Sequence, residues 1–368
     1  MPQARILVVD DSSLMRRLLR DAIEADPLLS LAGAAPNGRI ALAMLGESTP
    51  DLVVLDIEMP ELDGLATLVE IRKLHRELPV IMFSSLSVQG ADATITALMR
   101  GASDYVTKPS GPGGVAGAVA AIASALLPKI RALCAPVLTV AAAVEPEIKP
   151  RPRPLVPPSE LRPIEIVAIG SSTGGPDALA AVLAQIPGTF RVPVVIAQHM
   201  PPVFTTFLAQ RLNALTELKV AEVQDGESLA AGCAWIARGG FHTIVRRGGA
   251  GVVLATNQEP EVNSCRPSVD VLFRSVAEIY GDRALAVVLT GMGQDGLAGS
   301  QELVRRGSRV FAQDMATSVV WGMPGIVARS NLAEQVLPLG AIGREVVATV
   351  AGSRGELSRT LRGIGAAR

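Results

Sequence analysis

Short apolar runs and helical patterns alternate along most of this chain, and the alternation breaks once. In the first 127 residues, "RILVVDD", "DLVVLDIEMP", "PVIMFSSLS" and "DYVTKPS" read as strands. Between them, "SLMRRLLRDAIEAD", "LATLVEIRKLHREL" and "ADATITALMRGA" carry apolar residues at helical spacing. Strands that are apolar on both faces and separated by helices predict a parallel sheet covered on both sides. Nine prolines then fall between Pro128 and Pro163. That density opposes a sheet or a long helix and reads as a semi-rigid, polyproline-like linker, although a plain spacer fits the composition equally well. From Ile164 the alternation resumes. "IEIVAIG", "RVPVVIAQHM", "ALAVVLTGMG" and "SRVFAQD" are strands, while "PDALAAVLAQI", "VFTTFLAQRLNAL", "SVDVLFRSVAEIY" and "GLAGSQELVRRG" are helical. Glycine-punctuated β-like pieces occupy about 218–257, and the polar Gly/Arg-containing tail reads as flexible. The expected layout is a doubly wound α/β domain over 1–127, a linker over 128–163, a second α/β domain over 164–353 and a tail over 354–368.

Composition narrows the function. Among 368 residues the net charge is −1, which gives nothing for a nucleic acid to hold. Cys134, Cys233 and Cys265 are scattered and odd in number, which fits neither a disulfide framework nor a zinc site and suits a reducing cytoplasm. The N-terminus reaches two carboxylates by residue 11, where a secretion signal would still be apolar. The run "GVAGAVAAIASALL" is too short and too rich in alanine to span a bilayer. The expectation is a cytoplasmic protein without membrane insertion.

The first domain gathers acids at strand ends. Asp10 and Asp11 close one apolar run and Asp56 closes another. Residues at the C-terminal ends of neighbouring parallel strands converge on one crevice. Carboxylates crowded there repel one another, and a hard divalent cation such as Mg²⁺ relieves them. Ser84 and Lys108 end two further runs. A hydroxyl, an ammonium and a metal-bound carboxylate make a receiver for a phosphoryl group, with Asp56 as nucleophile. "VVDDS", "LDIEMPELDGL", "FSS" and "YVTKP" resemble the response-regulator receiver domain, a flavodoxin-like fold. The resemblance implies Asp56 as phosphoacceptor. Asp10, Asp56, the Glu58 carbonyl and Asp11 would hold Mg²⁺, and Ser84, Tyr105 and Lys108 would be switch residues.

In the second domain, "IVAIGSSTGGPDAL" is strand, tight turn, helix. A dinucleotide loop would look like this, but it needs an acid near the end of the next strand to hold the ribose. That strand ends in Gln198 and His199 instead. The other reading is a turn presenting a serine, with helix-start N–H groups to hold an oxyanion. His199 can serve as its base and Asp295, in "LTGMGQDGLAG", as the acid orienting the base. His242 is a rival base, His75 sits beside Arg72, Lys73 and Arg76 in a solvated-looking helix, and Ser171 and Ser172 compete as nucleophile.

"GSSTGG", "QHMPPVFTTFLAQRL", "RPSVDVLFRSVAEIYG", "AVVLTGMGQDGLAG" and "QDMATSVVWGMPG" resemble the CheB family of bacterial chemotaxis protein-glutamate methylesterases. The resemblance implies a Rossmann-like domain with Ser172 as nucleophile, His199 as base and Asp295 as orienting acid. Backbone N–H groups near Thr173 and Met292 would be oxyanion donors. It further implies hydrolysis of glutamyl methyl esters and deamidation of glutamines on chemoreceptors. Control would come from a chemotaxis histidine kinase, with the unphosphorylated receiver packed across the esterase site. Ser171, Arg238 and Met315 depart from the pattern, where alanine, proline and glutamate are common. A non-catalytic receptor- or scaffold-binding regulator is the alternative.

Overall fold

The computed structural model describes residues 3–109, 114–138, 162–249 and 251–365. The chain divides into two compact units, Met1–Pro146 and Glu147–Arg368. In the first, β1 (Ala4–Val9), β2 (Leu29–Ala35), β3 (Leu52–Asp56), β4 (Val80–Ser84) and β5 (Asp104–Thr107) pair in parallel, in the order β2-β1-β3-β4-β5. This is the flavodoxin-like order, which leaves its crevice at the C-terminal ends of β1 and β3. The intervening helices are α1 (Ser13–Glu24), α2 (Gly38–Glu47), α3 (Gly64–Leu74) and α4 (Val88–Met99), with α5 (Gly114–Leu133) and a short α6 (Ala135–Leu138) following. Side chains at the helix starts fix where each begins. The Ser12 hydroxyl accepts from the Met15 N–H, the Asn37 amide oxygen from Ile40, Asp63 from Ala66 and the Ser87 hydroxyl from Gly90.

Elements here differ from the sequence expectation, and α2 was among those not read. β2 went unread because "LSLAGAA" carries no β-branched residue and its middle positions are only half-buried. The helix α5 passes through Pro128 to Leu133, beyond the expected boundary at 127. Ile122, Leu126 and Ile130 form an i, i+4, i+8 stripe buried against Leu19, Ile23 and Ile81. Past the proline, Lys129 bonds Asp104 at 2.8 Å and Arg131 bonds Asp26 at 2.6 Å. Those contacts outweigh one lost backbone bond. Among the described residues α5 is also the one helix long and apolar enough to cross a bilayer; here its apolar stripe belongs to the first unit's core. Of the expected linker over 128–163, residues 139–161 lie outside the described residues.

The second unit holds a seven-stranded parallel sheet. β6 (Ile166–Ser171), β7 (Val194–Gln198), β8 (Lys219–Glu222), β9 (Cys233–Ile236), β12 (Ala284–Val288), β13 (Arg309–Gln313) and β14 (Gln335–Leu337) take the order β14-β13-β12-β6-β7-β9-β8. An antiparallel hairpin, β10 (His242–Gly248) with β11 (Gly251–Asn257), stands apart. α7 (Gly175–Leu183), α8 (Phe204–Leu215), α9 (Val269–Tyr280), α10 (Leu297–Arg305), α11 (Met323–Arg329) and α12 (Leu339–Gly365) surround them. One sheet face, including Ile166, Ala168, Val195 and Ala286, packs on Leu272, Phe273 and Val276 of α9. β6 lies between β12 and β7 where the strand order reverses, the position at which an open α/β sheet forms its site. Over 354–365, within the expected tail, the backbone continues the helix α12, and 366–368 lie outside the described residues.

Candidate active site

The sequence "GSSTGG" leaves β6 and enters α7 through Gly174, whose φ of 75° is the left-handed region that glycine tolerates. The turn separates the two serines. Ser171, the last residue of β6, is fully buried, and its hydroxyl donates to Gln198 Oε1 at 2.7 Å. Ser172 is half-buried, and among the described residues no hydrogen bond reaches its hydroxyl. Its N–H donates to the Thr290 carbonyl at 3.0 Å, and the Thr290 hydroxyl donates to the Thr173 carbonyl at 2.9 Å. These bonds stitch the 172–173 turn to the 290–292 turn, so Thr173 and Met292 belong to one corner. Gly291 is required there, because a Cβ would sit 2.8 Å from the Ser172 Cβ.

Gln198 holds both strand ends. Its Nε2 donates to the carbonyls of Ser172 at 3.0 Å and His199 at 3.3 Å, while Oε1 accepts from Ser171. The His199 N–H in turn donates to the Ser171 carbonyl at 3.1 Å. Ser172 and His199 therefore occupy neighbouring positions just past the paired ends of β6 and β7, where Ser171 is in register with Gln198. Gln198→Ala is expected to lower kcat by about 10–100-fold through misplacement of these groups. It should also destabilise the unit by about 1–3 kcal/mol, because the buried Ser171 hydroxyl loses its partner. Steady-state kinetics and denaturant unfolding of the same variant read both effects, and unchanged kcat would refute the positioning role.

His199 meets Asp295 as the sequence suggested. Nε2 lies 2.7 Å from Asp295 Oδ2. A carboxylate only accepts, so the proton sits on Nε2 and the other nitrogen, Nδ1, is the free base of the neutral ring. Asp295 comes from the loop before α10, and its carboxylate sits against the N-terminus of α9, where it takes four further donors: Asn263 Nδ2 at 2.9 Å, the Ser268 hydroxyl at 2.8 Å, and the backbone N–H groups of Val269 at 2.6 Å and Asp270 at 3.1 Å. Burial opposes its charge, but the His199 hydrogen bond and charge, joined by Val269 and Asn263, hold the carboxyl at about 2. For His199, burial likewise opposes charge, and the hydrogen bonds to Asp295 and Cys265 overcome it, raising the imidazole to about 9.

The rival histidine is structural. His242 is fully buried, with Nε2 3.0 Å from the Pro260 carbonyl and Nδ1 accepting from the Ser268 N–H at 3.3 Å. His75 is half-buried at the C-cap of α3. Of the three departures, Ser171 binds Gln198, Arg238 lies over the Phe241 ring at 4.9 Å and Met315 is exposed.

Four contributors were not read from the sequence: Gln198, Asn263, Ser268 and Cys265. The Cys265 thiol lies 3.5 Å from His199 Nδ1. Its loop is held in an uncommon conformation, with Asn263 at φ 53° and Ser264 at φ 59°. Asn263 spends its amide on Asp270 and Asp295.

The first unit brings its acids together. Asp10 and Asp56 are buried and Asp11 is exposed, and one carboxylate oxygen from each lies within 4.8 Å of the others. Lys108 Nζ is 2.8 Å from Asp56 Oδ1 and 3.4 Å from Asp10 Oδ2. Burial, then repulsion from Asp10, raises Asp56 to about 6 against the pull of Lys108. Asp56 Oδ2 is buried without a hydrogen-bond partner, and Asp10 Oδ2 is buried with only the 3.4 Å ion pair to Lys108. Arg16 clamps the carbonyls of Asp10 and Asp11 at 2.7 and 2.9 Å, fixing the β1–α1 turn. The Glu58 N–H donates to Asp56 Oδ1 at 3.3 Å. The buried Ser84 hydroxyl accepts from Thr94 at 2.7 Å and lies 3.1 Å from the Gly90 carbonyl, so it faces α4. The Tyr105 ring is buried, under Lys129 Nζ at 5.1 Å.

Known proteins agree with both units. Residues 167–346 match the CheB methylesterase family and residues 6–120 match the response regulator receiver domain. A protein-glutamate methylesterase/protein-glutamine glutaminase of Trichodesmium erythraeum is 47% identical over 94% of this chain and 99% of its own length. One from a Nocardioides species is 45% identical over 97% of this chain and 98% of its own. The crystal structure of the Thermotoga maritima CheB methylesterase catalytic domain is 41% identical, covers 50% of this chain and 97% of that one, and has a TM-score of 0.49. The chain belongs to the CheB family, with a receiver domain followed by a methylesterase domain.

Proposed function

We propose that this chain hydrolyses glutamyl methyl esters on the cytoplasmic helices of chemoreceptors, and deamidates glutamines there, by a Ser172–His199–Asp295 triad. The observation that carries the reading is the His199–Asp295 pair, 2.7 Å apart, beside a half-buried serine on the adjoining strand end. Ser172 attacks the ester carbonyl as His199 Nδ1 takes its proton. The oxyanion faces backbone N–H groups near Thr173 and Met292. His199 returns the proton to departing methanol, and the same base activates water to free glutamate. A glutamine follows the same course with ammonia leaving. Asp295 stays ionised throughout and holds the ring in the tautomer that exposes Nδ1.

The receiver supplies control. A chemotaxis histidine kinase serves as phosphodonor and Asp56 accepts the phosphoryl group as an acyl phosphate. The buried oxygens Asp10 Oδ2 and Asp56 Oδ2, neither of which makes a hydrogen bond, suit a divalent cation, and Asp10, Asp11, Asp56 and the Glu58 carbonyl would hold Mg²⁺. Mg²⁺ there would neutralise charge on the incoming phosphoryl group. Lys108 pairs with it, and Ser84 and Tyr105 would rearrange to report the new charge. In this reading the enzyme works in the cytoplasm.

Release of methanol from methylated receptor membranes tests the reading, with a simple carboxylic ester as comparison. Turnover of receptor well above that of the simple ester, and faster with a small-molecule phosphodonor, is the expected result. No methanol in either condition would leave only a receptor-binding regulator. The base makes a separate prediction. Because His199 must be neutral to accept a proton, kcat/KM should climb about tenfold per pH unit below its value of about 9. A plateau from pH 6.5 would show that Asp295 does not hold the imidazolium. The same pair affects stability. The contribution of His199 is full below 6.5 and is lost as pH rises through about 9, whereas that of Asp295 is full above 3.8 and is lost as pH falls toward 2.

A further inference from the structure

Cys265 has no part in the reaction above, yet its sulfur faces the one nitrogen that the reaction needs. We propose that Cys265 and His199 form a binding site for a thiophilic divalent cation such as Zn²⁺, and that its occupation switches the esterase off. The separation of Cys265 Sγ and His199 Nδ1 is 3.5 Å. A tetrahedral zinc with bonds of about 2.3 Å to sulfur and about 2.0 Å to nitrogen spaces those two ligands by about 3.5 Å. Both atoms are thus placed as a ready bite, needing little movement to admit the metal.

The opposite side of the ring is already arranged as metal sites arrange it. Nε2–H donates to Asp295, which fixes the tautomer and raises the basicity of Nδ1, the role carboxylates play behind metal-bound histidines. Asp295 is satisfied by its five donors, so it buttresses the ring rather than turning to the metal. His199 and Cys265 both line a cleft of about 320 Å³, together with Glu261 and Ser264. The cleft gives a cation a way in and leaves room for water in the remaining positions, with the exposed Glu261 carboxylate on the same wall. Thiolate and imidazole together favour Zn²⁺ over Mg²⁺, which separates this site from the all-oxygen cluster of the receiver. Binding releases the thiol proton and the imidazolium proton to solvent. With Nδ1 on the metal, Ser172 has no base. Inhibition therefore rests on His199 being the base, whereas binding itself does not.

Two readouts on the full chain test this, both with saturating Mg²⁺ present to fill the receiver. Co²⁺ replaces Zn²⁺ as a spectroscopic probe, since thiolate ligation gives a near-ultraviolet charge-transfer band that carboxylate sites lack. The band is expected in the parent and in Cys233→Ala, and absent from Cys265→Ala. In the methanol assay, Zn²⁺ should inhibit the parent reversibly, with a chelator restoring turnover. The ratio of rates with and without Zn²⁺ should need at least tenfold more metal to fall in Cys265→Ala than in Cys233→Ala. A band that persists in Cys265→Ala, or is missing from the parent, overturns the site. A band without inhibition overturns the switch. A band in a chain that releases no methanol keeps the site and refutes the esterase reading instead.

Discussion

Ser172→Ala is expected to cut methanol release from methylated receptor by about 10⁴-fold or more, whereas Ser171→Ala keeps it within about tenfold. The two hydroxyls are adjacent in sequence and differ in surroundings. That of Ser171 is buried and points into the sheet edge at Gln198, so a substrate carbonyl has no path to it. That of Ser172 stands past the strand end, beside His199 and free of hydrogen bonds among the described residues. Ser171→Ala carries a different penalty. It leaves Gln198 Oε1 buried without its donor, which costs about 1–3 kcal/mol and should appear as an earlier denaturant midpoint. Measuring both variants by methanol release and by unfolding separates the roles. Loss of turnover in Ser171→Ala with turnover kept in Ser172→Ala would reverse the assignment.

That pair marks the limit of sequence reading in this chain. Position along "GSSTGG" placed a hydroxyl at a strand-to-helix turn, but a choice between neighbours depends on which one the strand's last pleat turns inward. The family resemblance named Ser172, and the register supplies the physical difference between the two, with Ser171 turned inward against Gln198. His199 and Asp295 were legible because parallel-sheet sites collect beyond the C-terminal ends of strands: His199 directly follows β7, and Asp295 lies in the loop that leaves β12 for α10. Cys265 and Asn263 were not, because they come from an irregular loop with left-handed residues, whose path follows no periodicity. Cys265 read as one of three scattered thiols until the loop brought it to His199. Errors of element had similar origins. β14 is three half-buried residues, too short for any pattern, and α5 outlasts Pro128 because long-range burial and ion pairs are invisible to local propensity.

Asp56→Asn should abolish phosphoryl incorporation from a small-molecule donor, from about one per chain to none, and leave ester hydrolysis fixed at the unphosphorylated rate. The amide offers no nucleophilic oxygen of comparable charge, and it removes one of the three acids available to Mg²⁺. Loss of function here comes with a gain in stability, which distinguishes it from misfolding. Burial and the neighbouring Asp10 raise Asp56 to about 6, despite Lys108 at 2.8 Å. A carboxyl raised in the folded state contributes its stability below 3.8 and loses it as pH rises through about 6. At pH 7.5 the ionised group therefore strains the first unit, and asparagine should relieve about 1–2 kcal/mol of that strain. The gain should vanish below pH 4, where Asp56 is protonated folded or unfolded. Mg²⁺ should raise the parent's melting temperature at pH 7.5 more than the variant's, because it relieves the same repulsion. Phosphate incorporation surviving in Asp56→Asn would move the phosphoacceptor to another residue. A variant less stable than the parent at pH 7.5 would mean that the Lys108 ion pair outweighs burial at this site.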